Sequence, residues 1–435
     1  MFTYSIIDVL RKTDVVKEYA TIKYEISQGY DFLQNNKRTK LAKLITSMQY
    51  HPFYKNYVEG FDTKTINNDP EKILALLPVI SKQEISSYPN WYTNTGADKK
   101  YEKRYTGGST GTPFNYYLSK YSISRITAFN YYLWNFFIGY KVGDKILAIG
   151  GNSLGQNSSL KSRVYNYLQR KDFISGDVIN EITLNSALKS ILETDYKIIY
   201  AYPSSLEFFV DEAINRNYVF KKKIKGIVTT SEMLSDVALN KIKNFFKCDV
   251  LNCYGARDGG VIGCELKSIE SGFYYNFYDC IAESITIDEG LGKSELVLTN
   301  LNNEAFPMIR YRVGDIGSIE NYEPGFKLPL DKLTQLQGRT RDLIYTHSHQ
   351  VIHGSAFNVI LKNIEAIEQY QIIQKADYNL SIIIKSKTSE IAKDKIIDLI
   401  RHLLNDSAIE IDVLLNQEFV QSQGQKHKII VSYVS

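Results

Sequence analysis

Residues 105–114 read YTGGSTGTPF, and this run is the part of the chain best suited to hold an anion. Glycine lets backbone N–H groups come close to a ligand and adopt positive φ. Serine and threonine hydroxyls, with the freed N–H groups, can then hydrogen-bond phosphate oxygens. The run lacks the Gly-Lys-Ser/Thr ending of a Walker-type loop, so it is either another kind of phosphate loop or a plain surface turn. Cys248, Cys253, Cys264 and Cys280 form no C-x-x-C pair and have no histidine at zinc-ligand spacing. They are expected to be buried free thiols.

Further segments follow in a fixed order. They are Thr230-Ser231-Glu232, Tyr254-Gly255-Ala256-Arg257-Asp258, PMIRYRVGD over 307–315, Gly338-Arg339-Thr340-Arg341-Asp342 and Gly424-Gln425-Lys426-His427-Lys428. Singly, each has an ordinary reading. Asp315 caps a turn, Arg339 sits on the surface, Tyr254 packs, and Lys426 is a solvated charge. Their order and separations resemble the adenylate-forming superfamily, which includes acyl-CoA synthetases and nonribosomal peptide adenylation domains. Within it the resemblance is to the phenylacetate–CoA ligase branch and its capsule-biosynthesis relatives.

That resemblance implies roles. Thr106, Gly107, Gly108, Ser109, Thr110, Gly111 and Thr112 would grip the ATP phosphates. Ser231 and Glu232 would line the adenine pocket, and Tyr254, with Gly255 and Ala256 beside it, would stack on the base. Asp258 would ligate Mg2+, Asp315 would take the ribose hydroxyls, and Arg339 would reach the nucleotide. A carboxylate suits a diol, since it accepts two hydrogen bonds. Lys426 would meet the reacting carboxylate and the α-phosphate, so Lys426 and Asp258 are the expected catalytic pair.

The implied activity is conversion of a small carboxylic acid and ATP to an acyl-adenylate, then acyl transfer to CoA. An amine acceptor on a sugar or amino acid is the alternative, and a nucleotide-binding protein with weakened catalysis is a third reading. A monomer or homodimer is implied.

The sequence departs from the family pattern in places. Asp258 stands for the usual glutamate, one methylene shorter. Arg341 takes a hinge position more often Asp or Lys. YEPGFKLPLDKL, over 322–333, has no cysteine where some relatives carry a zinc segment, so no zinc is expected.

The elements that must position these residues are partly legible. The chain has 435 residues, enough for two or three domains. It is 44% hydrophobic and 23% charged with net charge +4, an ordinary globular balance that argues for neither a nucleic-acid nor a membrane partner. MFTYSIIDVLRKTD shows no basic start followed by an apolar run, so a soluble, cytoplasmic protein is expected. The most apolar stretch, 123–138, is interrupted by Arg125, Asn130 and Asn135.

Residues 1–100 show helical spacing. From 120 to 246, helices expected at 122–139, 185–192, 205–216 and 235–246 alternate with the runs KILAIGG, KIIYAYP and IKGIVTTSE, which suggests a mostly parallel α/β sheet. Residues 272–319 read as antiparallel strands forming a small sheet or barrel. After 342, helices at 356–367 and 390–405 alternate with the strands YQIIQKA, LSIIIKS, IEIDVLL and KIIVSYV. The expected fold class is multidomain α/β and α+β. A large adenylate-forming domain (1–338) with α/β sheets and a β-rich subdomain is followed by a hinge (339–342) and a small mobile α+β lid (343–435). For the acid pocket, Tyr131, Tyr132, Trp134, Phe136, Tyr202 and Pro203 are candidate walls, although an aromatic stripe at helical spacing more often belongs to a core.

Overall fold

The computed structural model describes residues 2–88, 91, 101–105, 114–150, 154, 160–175, 181–288, 293–304, 306–339, 343–347, 351–353, 357, 360–361, 364, 366–386, 391–420 and 430–434. Its first 88 residues are helical: α1 (Phe2–Arg11), α2 (Val15–Ser27), α3 (Tyr30–Met48), α4 (Lys55–Val58), α5 (Thr63–Asn68), α6 (Pro70–Leu76) and α7 (Lys82–Ser87). The caps explain several starts. Asp62 accepts from the Thr65 N–H ahead of α5, and Ser81 and Glu84 form a reciprocal capping box on α7.

A two-stranded hairpin follows, β1 (Tyr101–Tyr105) and β2 (Asn115–Ser119), with Tyr105 opposite Asn115. Next comes the long helix α8 (Lys120–Ile138), capped by Ser119 and ended by Gly139 at φ 65°.

Eleven strands then form one sheet: β3 (Ile146–Gly150), β4 (Lys171–Ser175), β5 (Ile198–Ala201), β6 (Gly226–Thr230), β7 (Val250–Ala256), β8 (Val261–Leu266), β9 (Glu270–Tyr275), β10 (Cys280–Asp288), β11 (Lys293–Asn300), β12 (Tyr311–Glu320) and β13 (Lys332–Arg339). Their spatial order is β10-β11-β12-β13-β9-β8-β7-β6-β5-β3-β4. Strands β4, β3, β5, β6 and β7 are parallel, with α9 (Leu160–Leu168), α10 (Glu181–Glu193), α11 (Pro203–Asn215) and α12 (Asp236–Phe246) in their connections. Buried on both faces, β3, β5 and β6 read as continuous apolar runs, and every residue of β3 is buried, whereas the edge strand β4 is not. From β7 onward every pairing is antiparallel.

The separate small sheet or barrel expected over 272–319 is thus not separate. Strands β8 and β9 join both halves into one sheet, because β7 offers its free edge to a tight hairpin instead of another crossover. The run 272–287 is also not one strand. It breaks at residues 276–279, where buried Asn276 accepts from the Ile262 N–H and donates to the Gly260 carbonyl.

The register of β7 on β8 sets Cys253 opposite Cys264, and the structure joins them as a disulfide. This corrects the expectation of four free thiols. Cys248 and Cys280 are the free ones. Sequence spacing alone did not show that a hairpin would superpose two cysteines eleven residues apart.

Beyond residue 342, a short hairpin, β14 (Leu343–Tyr345) and β15 (Val351–His353), precedes a four-stranded sheet. The sheet is built from β16 (Ile367–Gln374), β17 (Leu380–Ser386), β18 (Ile411–Leu415) and β19 (Ile430–Ser432) in the order β18-β17-β16-β19, with helix Lys393–Leu404 between β17 and β18. Ile344, Phe357, Leu361, Tyr370, Ile382, Ile400 and Val413 belong to a core of this unit alone. Ile367, expected to end a helix, instead begins β16; Phe357, Ile360 and Leu361 are helical, and the rest of that expected helix is partly outside the described residues.

A charged cluster fixes the N-terminal helices to this frame. Arg125 of α8, 1% exposed, contacts Glu18 (3.3 Å) and Glu25 (2.8 Å) of α2 and Asp279 (2.8 Å) before β10. Lys40 of α3 and Asn302 also donate to Asp279. Burial alone would raise the Asp279 carboxyl, but Arg125 and Lys40 hold it down at about 2. A second constraint is steric. Gly260, at φ 80°, lies so close to Asn300 that a Cβ would sit 2.4 Å from its Nδ2. Asn300 is buried and its Oδ1 already accepts from the Asn302 N–H, so it is poorly placed to yield.

Arg125→Met strands buried carboxylates, and should cost about 3–5 kcal/mol, read as a lower urea midpoint. An unchanged midpoint would show that the cluster adds no net stability. Gly260→Ala combines an unfavourable backbone with overpacking, and should cost roughly 2–5 kcal/mol. A melting temperature equal to the parent's would refute the close approach.

Candidate active site

The site forms where the parallel half of the sheet meets the antiparallel half. Strand β7 runs into the turn 257–260, and β12 starts at Tyr311. Both segments have the form Tyr-x-x-x-Asp: Tyr254 with Asp258, and Tyr311 with Asp315. They bond crosswise. The Tyr254 hydroxyl donates to Asp315 Oδ2 at 2.6 Å, and the Tyr311 hydroxyl donates to Asp258 Oδ2 at 3.0 Å. Burial, and after it the charge of Asp315, push the Tyr254 hydroxyl well above its usual range, so it remains a donor. The turn 258–260 is pressed against β11, since a Cβ on Gly259 would meet Leu298 at 2.5 Å.

The hairpin β1–β2, whose strands the glycine-rich run connects, reaches this place through Phe114. Phe114, at the loop's far end, stacks with Tyr116 at 6.0 Å and with Tyr311 at 6.4 Å between ring centres. Burial and then the nearby charge of Asp258 raise the Tyr116 hydroxyl to about 12. The base of the loop, Asp258 and Asp315 therefore share one neighbourhood. Residues 106–112 themselves, Lys426, and Arg341 of the expected hinge lie outside the described residues. Of Arg339, the backbone is placed: it stands opposite Asp315 in the β12–β13 register.

The remaining expected residues are distributed as follows. Ser231 is exposed just past β6, at φ 70°. Glu232 accepts from the Ser204 N–H at 3.1 Å and from its hydroxyl, so one of its oxygens holds the start of α11. Gly255 is exposed and Ala256 half-buried at the end of β7. Glu265 of β8, for which no role was expected, is buried and accepts from the Gly272 N–H, which makes it a structural residue of the β8–β9 turn. Among the candidate pocket walls, Tyr131 and Trp134 belong to the core. Tyr131 bonds Tyr4 at 2.6 Å, and Trp134 packs on Tyr140 and Tyr200. Phe136 is exposed and stacks on Tyr132.

Magnesium bound with a nucleotide takes most of its ligands from phosphate and water, and needs only one or two carboxylates. Asp258 fits that need: Oδ2 is occupied by Tyr311, and Oδ1 remains to offer a cation. Among the described residues, no group of three or more His, Cys, Asp or Glu converges as a metal cage.

Several residues near the site were not singled out from the sequence. Tyr311 and Phe114 lie inside quoted segments without a role and Tyr116 lies just past one, and the repeated Tyr-x-x-x-Asp spacing was the available signal for Tyr311. Arg257 lies in the turn, and its charge acts on Arg104, which pairs with Glu102 at 2.7 Å, on Lys171 and on Tyr200. No local pattern marked Lys171.

No family model matches the chain. Among characterised proteins, the CapK protein of Staphylococcus aureus is 23% identical over 292 residues, 66% of this chain and 64% of that protein. Phenylacetate-coenzyme A ligase of Pseudomonas putida is 30% identical over 122 residues, 28% of this chain and 25% of the ligase. The chain thus matches less than two thirds of the length of either relative. Among solved structures, 2-hydroxyisobutyryl-CoA ligase in the postadenylation state, in complex with R3-HIB-AMP, superposes with TM-score 0.58 at 14% identity. That match covers 91% of this chain and 88% of the ligase. An open conformation of the same ligase, with 2-HIB-AMP and CoA, gives TM-score 0.54 at 15% identity over 91% and 90% of the two chains. The chain therefore has the fold seen in these CoA ligases, and in sequence it is similar to CapK and, over a shorter stretch, to phenylacetate-coenzyme A ligase.

Proposed function

We propose that the protein is an AMP-forming acid ligase. The observation that carries this reading is the crosswise pairing of Tyr254 with Asp315 and Tyr311 with Asp258, with the anchor of the glycine-rich loop stacked on Tyr311. It brings together two of the segments a nucleotide would need. The loop 106–112 would hold the triphosphate tail, Asp315 the ribose diol, and the 231–232 and 254–256 segments the base, with Arg339 reaching the nucleotide beside Asp315.

In the first step a carboxylate oxygen of the acid attacks the α-phosphorus of ATP. The bond to the bridging oxygen breaks, and pyrophosphate leaves with the electron pair. Two anions must meet, so catalysis is mainly positioning and charge neutralisation. Lys426 would bring its ammonium to the α-phosphate, and the Arg257 guanidinium would draw the acid's carboxylate in. Bound Mg2+, held through Asp258, would supply further positive charge to the phosphates.

In the second step a nucleophile attacks the acyl carbon and AMP departs. We assign CoA as the acceptor, in keeping with the CoA ligases among the similar proteins. Residues 343–435, with their own core, would act as a mobile lid about 339–342 and change the groups facing the adenylate between steps. An amine acceptor, in surface-polysaccharide synthesis, is the second reading; the CapK similarity, over 66% of the chain, favours it. Either route draws on ATP and fits a cytoplasmic enzyme. Among the described residues, no helix is long and apolar enough to cross a membrane.

Acid-dependent ATP–pyrophosphate exchange against a broad acid library tests the first step. ATP binding without exchange for any acid would leave a nucleotide-binding protein and reject the ligase. For the productive acid, CoA and amino-sugar acceptors offered side by side separate the two second steps. Lys426→Ala should lower exchange by about 10²–10³-fold while nucleotide affinity holds; equal rates would remove Lys426 from the chemistry. Asp315→Ala should weaken ATP binding by about tenfold or more, as expected for loss of hydrogen bonds to a charged acceptor. Unchanged affinity would place the ribose elsewhere.

A further inference from the structure

Lys171 opens β4, the edge strand of the parallel half, but its side chain does not turn outward to solvent like an ordinary edge lysine. It crosses the face of β3. Its Nζ donates to the Leu154 carbonyl at 2.6 Å and stands 5.6 Å from the centre of the Tyr200 ring on β5. Tyr200 in turn packs on Trp134 of α8 at 5.0 Å, and its hydroxyl interacts with Thr230 at the end of β6. The ammonium therefore lies on the face of the sheet that α8 covers.

Arg257, in the turn that carries Asp258, is close enough for its charge to act on Lys171 and Tyr200 alike. Burial, and then this arginine, push the Lys171 ammonium down to about 8. Among the described residues no carboxylate pairs with Lys171; its hydrogen-bond partner is a neutral carbonyl. A half-buried cation with another cation beside it and no carboxylate partner is costly to keep. A fixed anionic ligand removes that cost.

The direction of the side chain says which ligand. Strand order from the nucleotide side runs β7, β6, β5, β3, β4, with strands about 4.8 Å apart. An ammonium over β5 is thus about two spacings, roughly 10 Å, from β7. It lies on the side of β7 away from β12 and Asp315, too far to share the ribose site and within the reach of an acid several carbons long.

We propose that the acid taken by this site carries a second anionic group, a distal carboxylate, which the Lys171 ammonium holds at the end of the pocket away from the nucleotide. The assignment rests on the acid-activation reading above for its reacting end. It makes Lys171 a specificity-determining residue and leaves the bond-making steps as written. The hydrogen bond to Leu154 aims the ammonium, and Tyr200 gives the acid's carbon chain an apolar wall.

The test compares matched pairs of acids: glutarate with pentanoate, adipate with hexanoate, pimelate with heptanoate, and terephthalate with 4-methylbenzoate. They are offered to the parent, Lys171→Met and Lys171→Arg. In pyrophosphate exchange the parent should favour one of the diacids by kcat/KM. Lys171→Met should lower that diacid-to-monoacid ratio about 10- to 100-fold, chiefly through KM, and Lys171→Arg should keep most of it. A parent that favours the monoacids overturns the proposal. So does an unchanged ratio in Lys171→Met with a lowered melting temperature, which would make Lys171 a structural tie to Leu154. Calorimetric titration of the same acids reads the pocket without turnover. Diacid binding that Lys171→Met weakens sustains the assignment even where no acid supports exchange and the ligase reading fails. Binding that is equal in parent and variant, or absent in both, overturns it.

Discussion

Two phenol-to-carboxylate hydrogen bonds, exchanged between residues 254–258 and 311–315, set where the rest of the site stands. Each segment contributes one donor and one acceptor. Neither can slide along the other without leaving a half-buried carboxylate short of a partner, and a hydrogen bond to a charged group is worth about 1.5–3 kcal/mol. The two segments lie in strands that are not neighbours in the sheet. The clasp joins them only because the turn at Gly259 and Gly260 lies flat on β11, with no room for a side chain between.

This clasp sits at the change from parallel to antiparallel pairing. Upstream of it, crossover helices cover both faces of the sheet, and the strands end together on one side. Downstream, hairpins return the chain antiparallel and bring Asp315 back beside Tyr254. Ligand sites in open α/β sheets collect at such breaks in strand order, because there the connections diverge and leave a crevice. The disulfide between Cys253 and Cys264 ties the two strands that meet at the change. Charge is divided in the same region: carboxylates stand at Asp258 and Asp315, and the charge of Arg257 in the same turn reaches Lys171 and Arg104.

The N-terminal helices are held to this frame by burial and by charge. Arg125 and Lys40 face Glu18, Glu25 and Asp279 in a nearly dry cluster. Such a cluster adds little net energy compared with apolar packing, but is expensive to break from one side. It fixes how α2, α3 and α8 lie on the sheet. The polar residues that interrupt the apolar face of α8 thus include its main tie to the rest of the protein.

Local chemistry made much of this legible in the sequence. The apolar runs of β3, β5 and β6 and the α8–Gly139 stop depend on near neighbours along the chain, so residue order specifies them. The glycine-rich loop and the segments around Tyr254, Asp315 and Gly338 could likewise be recognised by order, since backbone freedom and side-chain type are properties of a short stretch. Tertiary structure alone decided that β8 and β9 would fuse two expected sheets, that Cys253 would face Cys264, that Tyr131 and Trp134 would be core, and that Glu232 would hold α11. It also decided which tyrosine faces which aspartate, and that Lys171 turns inward over β3. Each of these depends on strand register and on contacts between residues far apart in the chain, where a shift of one residue turns a side chain to the opposite face.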